Sequence, residues 1–367
     1  MIQIEFPVNG AVLNHRHGRQ GKKSLTIHVR GQAPLGARVL VNGVQATRAG
    51  ERFEADLRLT APWTEITAAA QDVAGTAAHS VRVLWDRFSR KRYRFSIDDN
   101  SFFLRDIARK HYASLFDCFY LDGLRRLHRT YGVKFTVNVF RTTPENDFAL
   151  TEFPDTYKAE WQANGDWLKL AFHADAEFPD RPYEYASPAK LAGDLDRVAA
   201  EIQRIAGAEA YAPPTVLHWG MCPPACLPVL RERGVKALSG MFRPGCHDRY
   251  DVNYNLDSRR SEYLSRHDAL VDLDSGIVFS LIDLICNNTP VADTVPRLAA
   301  KAADPDTAEV MDLFTHEQYF WPFYRNYVPD HFERLDTAIR FVTEAGYEPV
   351  FLHEGFLGGP EPEGAAV

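Results

Sequence analysis

Cysteine is scarce in this chain, as are continuous apolar segments and excess positive charge. The 367 residues contain five cysteines, Cys118, Cys222, Cys226, Cys246 and Cys286. An odd, scattered set is more typical of reduced thiols than of a disulfide framework. A zinc site of Cys222, Cys226, Cys246 and His247 is an alternative, although its spacing is not that of a zinc finger or ribbon.

The charge balance and the N-terminus exclude several classes of partner. The formal net charge is −7 and the sequence pI is about 6.0, whereas a nucleic-acid or anionic-membrane partner requires a basic face. No run of about eighteen apolar residues occurs, and the segment Met1–Phe6 lacks the basic start and apolar stretch of a signal peptide. We therefore expect a globular cytoplasmic protein without a nucleic-acid or membrane partner.

The first 86 residues predict a small β-sandwich. Four segments alternate apolar and polar side chains and are separated by Asn-Gly, Ala-Gly and Pro turn signals. They are Leu25–Arg30, Arg38–Val41, Phe53–Leu59 and Glu65–Ala70. The segments Val41–Val44, Phe53–Ala55 and Ala70–Gly75 resemble those of bacterial immunoglobulin-like modules often attached to carbohydrate-active enzymes. We expect no active site in this part.

From about residue 90, apolar strands alternate with amphipathic helices, as in a βα architecture. Eight strands are predicted, at 93–98, Lys134–Phe140, Leu168–His173, Thr215–His218, Val235–Leu238, Val278–Ile285, Val310–Thr315 and Pro349–His353. Helices are predicted after the Ser187-Pro188 cap and from Asp330 to Gly346. We predict a multidomain β plus α/β chain, with an immunoglobulin-like sandwich over 1–86 and a distorted (β/α)7-8 barrel over 87–367.

Ionisable residues recur where these strands end. Asp98 and Asp99 end the first strand, His173 the third, His218 the fourth, His316 follows the seventh, and His353-Glu354 end the last. In α/β barrels the carboxyl ends of the strands carry the active site. Each residue alone has a structural alternative, since Asp-Asp-Asn is common in turns and caps and a single histidine is usually a hydrogen-bonded structural residue.

One group has the composition of a metal site. His173 and Glu177 are four residues apart, so a helical turn or tight loop can bring both to one metal. With Asp99 they supply one nitrogen and two carboxylate ligands and leave positions open for water and substrate. The alternative is that Glu177 only orients His173 or caps the following loop.

The segment Ser96–Asn100 resembles the Thr-Phe-Asp-Asp-Gly motif of the polysaccharide deacetylase family of carbohydrate esterases. The resemblance implies that Asp98 is the general base, that Asp99 binds a divalent metal, expected to be zinc, and that His316 is the general acid. The family's second motif has two histidines four apart, whereas this chain has His173 and Glu177. That departure leaves the third ligand open.

Further residues in the same loops are predicted to bind substrate. They are Tyr183, His218, Trp219, Arg243 and Glu317. Aromatic rings can stack on sugar faces, and the polar groups can bind hydroxyls. For the aromatic cluster Tyr319–Tyr324, ordinary core packing is the favoured alternative.

The leading hypothesis is a metal-dependent hydrolase that removes an acyl group, expected to be N-acetyl, from a saccharide. A barrel enzyme of other carbohydrate chemistry, such as a glycosidase, lyase or isomerase, is a rival. A non-catalytic carbohydrate-binding protein is the second rival.

Overall fold

A computed structural model describes residues 1–72, 75–245 and 250–360. The chain divides into two compact units. One contains Met1–Arg90, Ala269–Gly276 and the segment from Leu357, and the other contains Lys91–Asp268 and Ile277–Phe356. The sequence predicts one domain boundary, between residues 86 and 87. In the structure, the later segments Ala269–Gly276 and from Leu357 also belong to the first unit. Cys246 and His247 of the alternative zinc site lie outside the described residues, and Cys222 and Cys226 are buried free thiols.

The described strands of the first unit that precede residue 90 form two sheets. These strands are β1 Gln3–Phe6, β2 Val12–Leu13, β3 Gly18–Gly21, β4 Ser24–Gln32, β5 Arg38–Val41, β6 Val44–Gln45, β7 Thr47–Ala49, β8 Arg52–Leu59, β9 Trp63–Asp72 and β10 Gly75–Trp85. One sheet has the order β1-β4-β8-β7 with β3 also on β4, and the other has the order β2-β10-β9-β5-β6. Exposed and buried residues alternate along all of β8, so one face of this strand is in a core. All four segments predicted as strands here are strands, while the immunoglobulin-like assignment stays a prediction.

The rest of the chain alternates strands with helices. The strands are β11 Arg92–Asn100, β12 Phe135–Phe140, β13 Leu168–Ala174, β14 Tyr211–Ala212, β15 Ala237–Gly240, β16 Arg243–Pro244, β17 Tyr250–Asp251, β18 Ala269–Val271, β19 Val278–Leu281, β20 Leu284–Ile285, β21 Val310–His316 and β22 Glu348–Pro349. The helices are α1 Phe102–Lys110, α2 Phe119–Tyr131, α3 Lys158–Ala163, α4 Pro188–Ala206, α5 Leu227–Glu232, α6 Ser258–Leu264, α7 Val291–Ala303 and α8 His331–Glu344. In the described part of the chain, no helix is both long and apolar enough to cross a membrane.

A parallel sheet organises the second unit. Its order is β14-β13-β12-β11-β21-β20, with β22 beside β11. Every residue of β11 is buried, as expected for a central strand of a parallel sheet. Because β11, β12, β13 and β21 are parallel, their carboxyl ends lie at one edge. Strand β15 pairs with β19 in a separate ladder, and closure into a distorted barrel stays a prediction.

The strand predicted at Thr215–His218 is wrong. The sheet residues of this region are Tyr211–Ala212, and Pro213-Pro214 follow immediately. Proline has no backbone N–H to donate to a ladder, so the strand ends there. His218 instead begins a short 3-10 turn, His218–Gly220.

The two predicted helices are confirmed. The Ser187 side chain accepts a hydrogen bond from the Lys190 backbone N–H and caps α4, whose first residue is Pro188. Gly207, with φ of 82°, follows its last turn. Helix α8 occupies most of the segment predicted from Asp330 to Gly346.

Candidate metal centre

The two acids at the end of β11 reach the same histidine, although consecutive residues of a regular strand point to opposite faces. Asp99 Oδ1 lies 3.0 Å from His173 Nε2, and Asp98 Oδ2 lies 4.0 Å from the same nitrogen. The pairing of β11 with β12 shifts register between Ile97 and Asn100, and Asp99 has φ of 60°. A left-handed conformation is costly for a residue other than glycine and is often found at functional sites. The irregular strand end therefore brings both carboxylates to one place.

Asp99, His173 and His218 form the cluster that can hold a metal. His218 Nδ1 lies 3.3 Å from Asp99 Oδ1 and 3.2 Å from His173 Nε2. The donor atoms of the three side chains all lie within 4.8 Å of one another. All three side chains are buried or nearly so, since even Asp99 is only 12% exposed. Two imidazole nitrogens and one carboxylate oxygen are ligands that suit zinc and other first-row divalent cations.

The second ring nitrogen of His218 fixes its orientation. Nε2 lies 3.2 Å from the backbone carbonyl oxygen of Glu177. A carbonyl oxygen only accepts, so Nε2 carries the hydrogen and Nδ1 presents its lone pair to Asp99 and His173. A backbone partner of this kind is typical behind metal-binding histidines. The residues present thus fit a divalent cation.

Glu177 was predicted as the third ligand, but His218 completes the cluster. The Glu177 side chain lines the cavity next to the cluster. Burial, and then the Asp99 charge, raises the pKa of Glu177 to about 7, although a hydrogen bond with Gln318 opposes this. A histidine from the loop after Pro213-Pro214 therefore completes the cluster for which Glu177 was predicted.

The charges of neighbouring side chains offset the effect of burial on the pKa values of Asp99 and His173. Burial favours the neutral form of Asp99, but His316, His173 and His218 hold the pKa of this carboxyl well below its usual range. Burial also lowers the pKa of His173, yet Asp98 and Asp99 outweigh it and raise the pKa above its usual value. The carboxylate is therefore kept ionised beside the imidazoles.

Asp98 and His316, the predicted base and acid, flank the cluster. Their backbones are paired in register between β11 and β21. His316 Nε2 lies 3.8 Å from Asp99 Oδ2. Burial lowers the pKa of His316, although Asp99 and Asp98 oppose it.

Each of these two residues is held by an asparagine that the sequence reasoning missed. Asn138 Nδ2 donates to Asp98 Oδ1 at 2.6 Å, and Asn287 Oδ1 lies 3.0 Å from His316 Nδ1. The signal for Asn138 was present, since it is a polar residue in the apolar strand Phe135–Phe140 next to β11. Asn287 lies just after the short strand β20, and no pattern in the sequence distinguishes it from an ordinary loop residue.

A cavity of about 300 Å³ opens over the cluster. Its lining includes Asp98, Asp99, His173, Glu177, His218, Trp219, Arg243, Phe314, His316, Gln318, Tyr319 and Tyr324. Trp219 is 36% exposed, and the Arg181 guanidinium lies 4.8 Å from its ring centroid. Arg243 forms a 3.6 Å ion pair with Asp251, and half of its side chain is exposed. The predicted substrate residues His218, Trp219 and Arg243 are thus all at the cavity wall.

Two of the predicted substrate residues have structural positions instead. The Tyr183 side chain is fully buried, and its hydroxyl bonds with the Asp175 backbone N–H and with the Asp194 carboxylate. Glu317 is also fully buried. Its carboxylate accepts from the backbone N–H groups of Ser101, Phe102 and Phe103 at 2.6–2.9 Å and from the Trp321 indole at 3.1 Å. Neither residue is among those lining the cavity, and a substrate-binding role for Tyr183 and Glu317 stays a prediction.

Comparisons with known proteins identify no family. No family model matches the chain, and no curated protein matches it. One solved structure with local similarity is a modular endo-β-1,4-mannanase from Cellulomonas fimi, at 17% identity and a TM-score of 0.17. The match covers 23% of this chain and 18% of the mannanase chain. A similarity of this size carries no functional argument.

Proposed function

We propose that this protein is a divalent-metal-dependent hydrolase that removes an acyl group, N-acetyl in the first instance, from a saccharide. The observation that carries the proposal is the convergence of Asp99, His173 and His218 with Asp98 and His316 beside them at one cavity. A ligand cluster flanked by two further proton-transfer groups is what acyl-group hydrolysis requires. The resemblance of Ser96–Asn100 to the polysaccharide deacetylase motif supports the same reaction.

Asp99, His173 and His218 are the residues that would hold the cation. A divalent cation held by them, with zinc as our first choice, would supply Lewis acidity for the acyl carbonyl and for a bound water. The three side chains are buried, and His173 Nε2 lies within hydrogen-bonding distance of both Asp99 and His218, which supports a preorganised site. The backbone carbonyl of Glu177 holds the His218 ring in place.

In the proposed reaction, Asp98 is the general base and His316 is the general acid. Asp98 takes the proton of the attacking water, while Asn138 holds its other oxygen. His316 Nε2 gives a proton to the departing sugar amine. Since burial lowers the pKa of His316, its protonated form is a stronger acid than an exposed imidazolium.

The cavity walls fit a sugar ring. Trp219, Tyr319 and Tyr324 offer aromatic faces, and a cavity of about 300 Å³ is at the small end of ligand-binding sites. We therefore propose a short or terminal saccharide unit as the group that enters.

Acetate release from acetylated amino sugars tests the activity. The wild-type protein, reconstituted with Zn²⁺, should release acetate from at least one member of a panel, and Asp98→Asn should reduce the rate by about 100-fold or more. Elemental analysis should find one divalent metal per chain. Full activity of Asp98→Asn would contradict the role of Asp98, and a wild type inactive on every substrate would contradict the reaction.

Glycoside hydrolysis is the second candidate. Glu177 lines the cavity together with Asp98, and its pKa is raised to about 7, as suits an acid that must stay protonated. This function predicts cleavage of an oligosaccharide by metal-free protein, with loss in both Asp98→Asn and Glu177→Gln.

A further inference from the structure

We infer that His331, Thr315 and Asn287 form a hydrogen-bonded chain that positions His316, with Nε2 of its ring turned toward Asp99. The catalytic consequence rests on the proposed function, whereas the ring orientation does not. None of the three positioning residues is among the residues lining the cavity.

The Asn287 side chain decides which nitrogen of His316 carries hydrogen. Asn287 Nδ2 donates to Asn288 Oδ1 at 2.8 Å, which turns Oδ1 toward His316. Oδ1 lies 3.0 Å from His316 Nδ1 and can only accept. His316 Nδ1 must therefore be the donor, and Nε2 is the nitrogen that faces Asp99 at 3.8 Å.

The Thr315 hydroxyl is a second hydrogen-bond partner of Asn287 Oδ1. It donates to Asn287 Oδ1 at 3.2 Å and lies 2.6 Å from His331 Nε2. A hydroxyl has one hydrogen, so once it donates to Asn287 it must accept from His331. His331 Nε2–H thus donates to the Thr315 hydroxyl, and this hydroxyl donates to Asn287 Oδ1. The same Asn287 oxygen also accepts from His316 Nδ1–H.

The chain is buried and anchored. Thr315 is fully buried, His331 is 1% exposed, and Asn287 is 5% exposed. The His331 ring stacks on Phe320 with centroids 3.8 Å apart. Arg334 Nη1 donates to the Asn287 backbone carbonyl at 2.9 Å, so both the backbone and the side chain of Asn287 are fixed.

Adjacent residues of β21 divide these tasks. His316 lines the cavity, whereas Thr315 does not and instead contacts His331, the first residue of α8. A histidine held only at its backbone can adopt either tautomer, whereas this one is limited to the form with hydrogen on Nδ1.

The tautomer is measurable without an activity assay. In protein labelled with 15N-histidine, the ring signals of His316, assigned by their loss in His316→Gln, should show hydrogen on Nδ1 at pH 8. Asn287→Leu should give a tautomer mixture, and Asn287→Asp, which keeps an acceptor, should restore the wild-type pattern. In the acetate-release assay, Asn287→Leu should lower kcat by about 10- to 100-fold and change KM by less than about twofold.

Thr315→Val provides a second, milder variant, because valine keeps the shape of threonine. It should lower kcat by about three- to tenfold, less than Asn287→Leu, since the direct acceptor remains. The matched control is Thr294→Val, a buried threonine of α7 whose hydroxyl donates only to the Pro290 carbonyl. Thr294→Val should leave the His316 signals and kcat unchanged.

Two results would overturn the inference: hydrogen on Nε2 in the wild type, or wild-type ring signals and kcat in Asn287→Leu. Should Asn287→Leu fail to fold, wild-type kcat in Thr315→Val would overturn it. Failure of the proposed function is a separate result, since a protein that releases no acetate still reports the His316 tautomer and its response to Asn287→Leu.

Discussion

His173 Nε2 lies 3.0 Å from Asp99 Oδ1, across 74 residues of sequence, and His218 Nδ1 completes the contact at 3.2 Å from the same nitrogen. This relationship is the reason that we propose His218, rather than Glu177, as the third ligand. We expect His218→Gln to lose the bound divalent metal, because two ligands seldom retain it, whereas Glu177→Gln should keep one metal per chain. Elemental analysis after dialysis against Zn²⁺ and then metal-free buffer measures the difference.

The control for this pair is His28→Gln, an exposed histidine on β4 of the first unit. It should keep the metal. Loss of metal in Glu177→Gln with retention in His218→Gln would restore the assignment made from the sequence.

Asn138 is expected to matter for the rate rather than for substrate affinity. Its Nδ2 is 2.6 Å from Asp98 Oδ1, and the residue is fully buried. Asn138→Leu has a similar volume but no donor, so Asp98 should lose its fixed orientation. We expect kcat for acetate release to fall by about 10- to 100-fold with KM and metal content unchanged.

Thr136→Val, two residues earlier on β12 and also buried, is the matched control and should retain kcat. An Asn138→Leu protein with wild-type kcat would show that Asp98 needs no such partner.

Glu317 is expected to act on stability. Glu317→Ala leaves the first backbone N–H groups of α1 buried without an acceptor and should lower the free energy of unfolding by about 2–4 kcal/mol. Glu317→Gln keeps one acceptor oxygen and should cost less. Urea unfolding measures both, with the exposed Glu333→Ala on α8 as control. An increase in KM for Glu317→Gln without loss of stability would favour the original substrate-binding role.

His353 should make stability depend on pH. Burial, and then the charges of Lys169, Lys236 and Lys134, lowers its pKa to about 4 from its ordinary value of 6.5. Between these values the unfolded chain binds more protons than the folded chain. The contribution of His353 is therefore complete above pH 6.5 and is lost as the pH falls toward 4.

We expect His353→Gln to reduce the pH dependence of the unfolding free energy in this window by about 1 kcal/mol per pH unit. Urea unfolding of both proteins at pH 7.5, 6.5 and 5.5 measures it. Parallel curves for wild type and variant would contradict the prediction.

Local signals in the sequence were sufficient for much of the secondary structure. Alternation identified β4, β8 and β9, and the Ser187-Pro188 cap identified α4, because these patterns depend on neighbouring residues only. The strand predicted at Thr215–His218 is wrong because Pro213-Pro214 have no backbone N–H groups to donate to a neighbouring strand. The apolar pattern of Thr215–His218 alone does not show this effect.

The amino-acid sequence by itself determined that Asp98, Asp99, His173 and His316 stand at strand ends, since strand periodicity and polarity are local properties. Only the tertiary structure decided that His218 joins Asp99 and His173, that Asn138 and Asn287 hold the two flanking groups, and that Glu317 caps α1. These assignments depend on which strand ends and loops meet. That is set by the order of strands in the sheet and by the irregular end of β11, where a left-handed Asp99 lets two consecutive carboxylates reach one histidine.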